Sequence, residues 1–524
     1  MSAEASIIFV ILVGVTLYIT WWAGRRNTSV ESHLVAKGSL SGRKNGVAIA
    51  GDFISAATFL GTTGAIAVGG FNGFYLAVYI PVAFLLALLL VAEPLRNLGQ
   101  FTLGDVLATR FAGDGVRGAI AISSIVVSLL YMVAQFVGAA LLIQLLFDID
   151  YVIAALVIGA LTTVYTLIGG MLATTYIQIL KTCLLLFCGV LLLMVALSKF
   201  GWNPLEVFQR VDDASGGKLL QPGRLGGAAQ WDQFSLIFGV TLGVLGLPHV
   251  MIRFLTVRDS SEARKSAVTA IWIFSGFLVL LPVLSYSAVL LLKGDERFAA
   301  TAAAGGNMTI PLLSDHLGGE PLLAFVSAVA FATILAALAG LVIATTGSIS
   351  HDIYGKLIKK GQVDHRQQLV VARVASVAST VVALLIALVV KDQNVAFLAT
   401  LAIAVAASAN LPALLFTMYV RGTTAAGVTW GMVAGLGSAV VLILLSPVFH
   451  PTDPDAALFP LKSPGIISVP IGFAVMFLVS LATRPRGQRR HEADARFARV
   501  RFQATTGIDP DDPRGALAGG TLTH

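Results

Sequence analysis

Apolar residues fill this chain in long uninterrupted runs. Stretches of roughly 20 residues without a formal charge recur along it, and each is about long enough to cross ~30 Å of hydrocarbon as a helix. The runs do not alternate over ~10 residues, which excludes a transmembrane β-barrel. The pattern predicts spanning helices over residues 5–23, 46–70, 73–93, 118–147, 151–170, 173–199, 233–254, 266–292, 321–349, 370–390, 394–420, 424–446 and 466–483.

Composition supports a membrane protein. Of 524 residues, 56% are apolar and 12% are charged, and the mean hydropathy is +0.86, whereas soluble domains carry about 25% charged residues. A water-soluble enzyme is therefore excluded, and no loop is long enough for a separate catalytic domain. Cys183 and Cys188 lie in one apolar run and indicate neither a disulfide framework nor a zinc site.

The distribution of Lys and Arg predicts the orientation of the helices. Thirteen crossings from an outside N-terminus place roughly three quarters of the 35 basic residues on the cytoplasmic side. Arg25 and Arg26 follow the first apolar run, which favours an anchor over a cleaved signal peptide. The net charge of +7 therefore indicates orientation and not nucleic-acid binding. We expect a multi-pass protein of the plasma (inner) membrane with a cytoplasmic C-terminus.

Two of the predicted helices contain breaks. The helix that begins at residue 46 holds Gly51, Gly61 and Gly64, and the fifth helix after it reads GVTLGVLGLPH over 239–249. Close helix packing explains any single glycine, but paired broken helices are typical of transporters with inverted repeats. We therefore predict a peripheral helix and loop (1–45), a first repeat (46–199), an outer loop (200–232), a second repeat (233–420), two peripheral helices (421–483) and a solvated, largely disordered basic tail (484–524) that contacts lipid headgroups.

Few ionisable groups fall at membrane depth, where each one is costly and indicates function. Lys181 must face protein or a cavity. It is either the counter-charge to an anionic substrate, a fixed cation in place of a metal ion, or the partner of Asp52 in a structural ion pair. Asp52 is either a proton or cation ligand or a cap of the broken helix. For His249, a hydrogen bond into the helix break is favoured over proton shuttling. Arg253 is expected to lie at the membrane boundary.

A broken helix can bind both ions of a symport reaction. Its free NH groups bind carboxylate and its free carbonyls bind hard cations, and one unwound turn at 51–56 can supply both. Gln135 is a neutral polar group that can bind a small substrate, although a hydrogen bond to another helix explains it equally well.

Several sequence blocks resemble the solute:sodium symporter family: TLIGGMLA (166–173), FTLGDVLATRF (101–111), GLPHVMIRF (246–254) and SISHDIYGK (348–356). GDFISAATFLG (51–61), GGMLATTYIQ (169–178) and FATILAALAGL (331–341) are most similar to the bacterial cation/acetate symporter branch. The resemblance implies an all-α fold of about thirteen helices with a LeuT-type five-plus-five core. It also implies uptake of acetate and similar monocarboxylates by a cation gradient, with no cofactor and no enzymatic activity.

The resemblance further implies a sodium site, whose ligands fall on Gly51, Ile54, Thr333, Ala336 and Ala337. The last two are alanines where the family has a pair of hydroxyls, and Thr175 stands where the family has an acid. Coupling to Na⁺ and coupling to H⁺, with Lys181 or Asp52 titrating, therefore both stay open.

The leading hypothesis is a symporter that binds a small carboxylate and a monovalent cation beside the first break. The residues expected to line the substrate site are Ser55, Ala56, Thr58, Phe59, Gln135, Gly246 and Pro248. One alternative is a symporter of the same family for proline or a sugar, which would require more polar side chains at the site. Another is a passive channel or a membrane sensor, but a sensor should carry a soluble output domain, and none is visible.

Overall fold

The computed structural model of the chain describes residues 40–508 apart from 56, 100–101, 112, 169–170, 224–226 and 451–455, together with positions 7, 11, 14, 15 and 18. Within these residues the fold is helical, and one isolated β-bridge joins Leu40 to Val257. The helix predicted over 5–23 lies outside the continuously described part, as does the tail beyond residue 508.

The other predicted helices are present, and short helices that the apolar runs do not predict lie between and after them. In chain order they are α1 (Gly42–Phe53), α2 (Thr62–Gly69), α3 (Phe71–Leu90), α4 (Ala92–Leu98), α5 (Leu103–Ala108), α6 (Asp114–Phe147), α7 (Tyr151–Ile168), α8 (Met171–Leu197), α9 (Pro204–Ser215), α10 (Ala228–Gly243), α11 (Pro248–Leu255), α12 (Ser260–Leu291), α13 (Glu296–Ala303), α14 (Thr309–Gly347), α15 (His365–Val389), α16 (Val395–Tyr419), α17 (Ala425–Leu444), α18 (Gly465–Ala482) and α19 (Gln488–Thr506). In the described part of the chain, 10 helices are long and apolar enough to cross a membrane, or 11 if α1 and α2 form one span. The protein is therefore a multi-pass membrane protein, and the count of thirteen helices stays a prediction.

The first predicted break lies between α1 and α2. The backbone leaves the helix at Ile54, where ψ is 78°, and a π-helical turn over Ala57–Gly61 leads into α2, with an angle of 56° between the two halves. The Phe53 carbonyl, which loses its helical partner here, accepts the Ser55 NH at 2.9 Å and the Thr58 hydroxyl at 2.6 Å. Local hydrogen bonds thus stabilise the break.

The second break lies between α10 and α11. A 3₁₀ turn over Val244–Gly246 and an extended Leu247 precede Pro248, which begins α11 where a missing NH costs nothing. Asn410 of α16 donates its Nδ2 to the Gly246 carbonyl at 2.8 Å. This break is therefore held by a side chain from a neighbouring helix.

The tail departs from the prediction of disorder. Residues 488–506 form α19, in which Val500 and Ala504 are buried. The side-chain amide of Asn97 on α4 donates to the Ala504 carbonyl at 2.9 Å, and the backbone carbonyl of Asn97 accepts from Gln503 Nε2 at 3.2 Å. The prediction was wrong for this segment because apolar side chains spaced by three and four residues within the basic run form a stripe that can dock.

An ion-pair cluster ties together three helical segments of the chain. Arg117 Nη1 lies 3.2 Å from the Oδ1 atoms of both Asp105 and Asp352, and Thr102 donates to Asp352 at 3.1 Å. Burial raises the pKa of the Asp105 carboxyl, but hydrogen bonds and charge from His351 and Arg117 outweigh it and hold that pKa at about 2. This cluster fastens α5 and α6 to the π-helical segment Ser348–Ile358.

Candidate functional site

Tyr131 on α6 links the two helix breaks. Its side chain is buried, its hydroxyl lies within hydrogen-bonding reach of Ser55 at the first break, and its ring lies 5.1 Å from the His249 ring after the second. Gln135, one turn along α6, donates its Nε2 to the Ser55 hydroxyl at 3.4 Å. Residues four apart share one helix face, so α6 presents both groups to the first break.

Several buried polar atoms around Tyr131 have no hydrogen-bond partner among the described residues: Ser128 Oγ, Gln135 Oε1 and both ring nitrogens of His249. Buried polar groups without partners are costly, and native structures contain few of them. Ser128, Tyr131 and Gln135 follow one another at i, i+3 and i+7 and so lie on the same face of α6. Together these groups form a polar site that can bind a small ligand.

The environment of His249 differs from the sequence expectation. The sequence favours a hydrogen bond from His249 into the helix break. In the structure the His249 ring packs against Tyr131, and neither ring nitrogen has a hydrogen-bond partner within the described residues. The bulky Tyr131 side chain supplies the contact, which the local sequence around Pro248 could not reveal.

The other residues predicted to line the substrate site have mixed surroundings. Thr58 turns its hydroxyl back to the Phe53 carbonyl, and the Phe59 ring packs 5.9 Å from that of Phe277 on α12. Gly246 and Pro248 lie at the second break, whereas Ala56 lies outside the described residues. These positions stay predictions as substrate contacts.

A buried ion pair joins α1 to α11. Arg253 Nε lies 2.6 Å from Asp52 Oδ2, its Nη2 donates to Asp52 Oδ1 at 3.3 Å, and its Nη1 donates to Thr175 Oγ1 at 2.7 Å. Both charged side chains are at most 3% exposed. The hypothesis that Asp52 pairs with Lys181 was therefore wrong, because Arg253 is the partner of Asp52; the position of Arg253 at the membrane boundary stays a prediction. Helix packing brings two positions about 200 residues apart into contact.

Lys181 on α8 lies beside this pair. It is 2% exposed, and its Nζ has no hydrogen-bond partner among the described residues. Lys181 is close enough to Asp52, Arg253 and His249 to interact with them electrostatically. The site therefore holds a paired guanidinium and an unpaired amine.

The residues implied to bind sodium lie in closely packed, hydrogen-bonded surroundings. Gln178, on the same buried face of α8, donates its Nε2 to the Ala336 carbonyl at 3.1 Å. The Thr333 hydroxyl donates to the Ala330 carbonyl of its own helix at 2.7 Å. Gly51 packs so closely on α8 that a Cβ there would lie 2.5 Å from the Gln178 carbonyl oxygen. Ile54 lies at the break with its NH bonded to Ala50.

One cluster in the described chain has the spacing of a metal site: Asp105, His351 and Asp352. Arg117 already lies between the two carboxylates and supplies the positive charge that a metal ion would bring. The chemistry of this donor set therefore favours an ion-pair network.

Sequence reasoning missed three side chains of the site, Tyr131, Gln178 and Asn410, and named Thr175 only as the position where the family has an acid. Tyr131 precedes Gln135 by four residues and Gln178 precedes Lys181 by three, so a helical face drawn through the two named polar residues would have found both. Asn410 had no signal of its own, because its role depends on the packing of α16 against the second break.

Comparisons with known proteins identify similar chains. Residues 33–435 match the sodium:solute symporter family. The symporter YwcA of Bacillus subtilis (strain 168) is 42% identical over 518 residues, 97% of this chain and 99% of that protein. A monocarboxylic acid transporter of Corynebacterium glutamicum is 38% identical over 530 residues, 96% of this chain and 94% of that protein.

Solved structures share the fold. A Na⁺-coupled sialic acid symporter, in a substrate-bound outward-open state, has a TM-score of 0.75 at 15% identity and covers 93% of this chain and 99% of its own. Mhp1, a nucleobase-cation-symport-1 family transporter, has a TM-score of 0.50 at 14% identity, with coverages of 88% and 98%. At these identities the likeness shows the fold alone, which is the LeuT-type helical fold predicted from the sequence.

Proposed function

The chain belongs to the sodium:solute symporter family, and we propose that it takes up acetate and related short monocarboxylates by alternating access. The uptake is coupled to a Na⁺ or H⁺ gradient across the plasma membrane, with the N-terminus outside and the C-terminus in the cytoplasm. The protein is a membrane transporter and not an enzyme.

The observation that carries this proposal is the set of unsatisfied polar atoms between the two helix breaks. Hydroxyl groups of Ser55, Ser128 and Tyr131 can donate hydrogen bonds to a carboxylate. Because Asp52 is neutralised by Arg253, an ammonium at Lys181 leaves one positive charge that an anion would balance.

The charge distribution favours a monocarboxylate over a zwitterion. The ammonium of a substrate such as proline would need an acidic partner, and the carboxylate at the site, Asp52, is already paired. The similarity to a protein named as a monocarboxylic acid transporter, over nearly the whole chain, supports the same substrate class.

The test is exchange of labelled for unlabelled pyruvate across liposomes that contain the purified protein. Pyruvate is preferred as the probe because acetic acid crosses bilayers unaided more readily. We expect acetate and propionate to compete with pyruvate, and proline and glucose not to compete. Competition by proline or glucose without competition by the monocarboxylates would contradict the proposed substrate class.

A variant pair on α6 tests the position of the site. Gln135→Leu should lower exchange by at least about tenfold, since a lost hydrogen bond to an ion is worth roughly 1.5–3 kcal/mol. Gln144→Leu changes an exposed glutamine of the same helix and should exchange pyruvate like the unmodified protein. Equal exchange by both variants would remove Gln135 from the proposed site.

A further inference from the structure

We infer that protons, not sodium ions, drive this transporter, and that the amine of Lys181 carries the coupled proton. The inference rests on the proposed function only in taking a monocarboxylate as the anion that moves with the proton.

The residues at the implied sodium site do not suit a sodium ion. Such an ion needs several hard oxygen ligands, yet two of the implied ligand positions, Ala336 and Ala337, carry methyl groups. The Ala336 carbonyl accepts the Gln178 amide NH at 3.1 Å, and the Thr333 hydroxyl donates its hydrogen to the Ala330 carbonyl. The donor set therefore lacks the two hydroxyl oxygens that the family's site would use.

Charge also opposes a metal cation here. The carboxylate at the site, Asp52, is fully engaged by Arg253 at 2.6 and 3.3 Å. A sodium ion bound here would lie near the Arg253 guanidinium and Lys181, with no unpaired carboxylate to bind it. Like charges repel strongly where water is excluded.

Lys181 is the group in this region that can change its charge to suit the substrate. Its Nζ is buried and has no acceptor among the described residues, so an ammonium there is costly while the site is empty. A carboxylate bound nearby supplies the missing acceptor and negative charge. Proton and carboxylate therefore stabilise each other's binding, which is the thermodynamic requirement for coupling.

The charged and titratable neighbours of Lys181 come from α1 and α11. Asp52 on α1 and Arg253 on α11 neutralise each other, and His249 on α11 is the other titratable group in electrostatic range. The face of α14 nearby carries Ala336 and Gly340, and α12 presents apolar side chains such as Phe277 to α8.

The cycle balances in atoms and charge. The neutral Lys181 amine takes one proton from outside as one carboxylate anion binds, and both are enclosed when the outer side closes. After the inner side opens, the carboxylate leaves and the ammonium, again without an acceptor, releases its proton to the inside. One proton and one carboxylate cross together, without net charge.

Liposomes that contain the full chain test the inference with labelled pyruvate, and protein-free liposomes correct for passive entry. An inward proton gradient without sodium should drive accumulation, and an inward sodium gradient at equal pH should not. Accumulation that requires the sodium gradient would overturn the inference while leaving the proposed function intact. Failure of the unmodified protein to exchange pyruvate would instead refute the proposed function.

Two lysine variants assign the proton. Lys181→Arg keeps the positive charge that a bound carboxylate balances but cannot release its proton, so it should exchange pyruvate and lose accumulation driven by the proton gradient. Lys181→Met lacks that charge and should lose both exchange and accumulation. Lys199→Met, which changes an exposed lysine in the 3₁₀ turn directly after α8, should accumulate pyruvate normally. Proton-driven accumulation by either Lys181 variant would overturn the assignment, as would pyruvate exchange by Lys181→Met at the rate of the unmodified protein.

Discussion

Replacing Asp52 with asparagine should destabilise the protein more than any other single change to the buried charges. The substitution removes the carboxylate that lies 2.6 Å from Arg253 Nε and leaves the guanidinium beside Lys181. The reverse change, Arg253→Met, leaves Asp52 with Lys181 as a nearby cation. We therefore expect Asp52→Asn to be the more damaging of the two.

The burial of the Asp52–Arg253 pair sets the expected loss of stability. Both side chains of the pair are at most 3% exposed, and removal of one partner from such a pair costs about 3–5 kcal/mol. At roughly 2 °C or less per kcal/mol for a large protein, the unfolding temperature should fall on the order of 5 °C. The double variant Asp52→Asn/Arg253→Met leaves neither charge unpaired and should recover most of this loss.

Thermal unfolding of the purified variants in detergent, followed by tryptophan fluorescence, measures these shifts. Asp213→Asn, which changes an exposed carboxylate on α9, is the control and should unfold like the unmodified protein. The reasoning fails if Asp52→Asn unfolds at the unmodified temperature, or if the double variant is as unstable as the sum of the single changes.

Three further changes test other parts of the structure. Gly51→Ala places a Cβ 2.5 Å from the Gln178 carbonyl oxygen and should lower the unfolding temperature, whereas Gly69→Ala meets nothing within 4 Å and should not; equal temperatures would contradict the close approach of α1 to α8. Tyr131→Phe should raise the KM for pyruvate about fivefold, the value of one hydrogen bond, and an unchanged KM would remove the hydroxyl from the site. Asn97→Ala removes the side-chain hydrogen bond to the Ala504 carbonyl of α19 and should speed tryptic cleavage of the tail; an unchanged cleavage rate would show that α19 does not depend on that bond.

Much of the architecture could be predicted because the bilayer constrains it. A span needs about 20 apolar residues, so the runs at 73–93 and 424–446 located α3 and α17 to within a few residues. The breaks were equally readable, since Gly and Pro interrupt helices locally. Both features depend on neighbours in sequence.

The contacts of the charged residues could not be predicted in the same way. Asp52 and Arg253 meet only because α1 and α11 pack together. The Lys181 amine has no hydrogen-bond partner among the described residues because α12 and α14 present apolar and neutral groups to it. In α19 the excess of Arg concealed a short apolar stripe. A pattern along one helix shows which face is polar, but not which residue of another helix it meets.

The central claim is secondary active transport of a small monocarboxylate, and the accumulation ratio of labelled pyruvate tests it most directly. We predict that liposomes with the unmodified protein concentrate pyruvate above the medium when an inward cation gradient is imposed, and only equilibrate it when ionophores collapse that gradient. Equal internal and external concentrations under every imposed gradient would contradict the claim and identify a passive pathway.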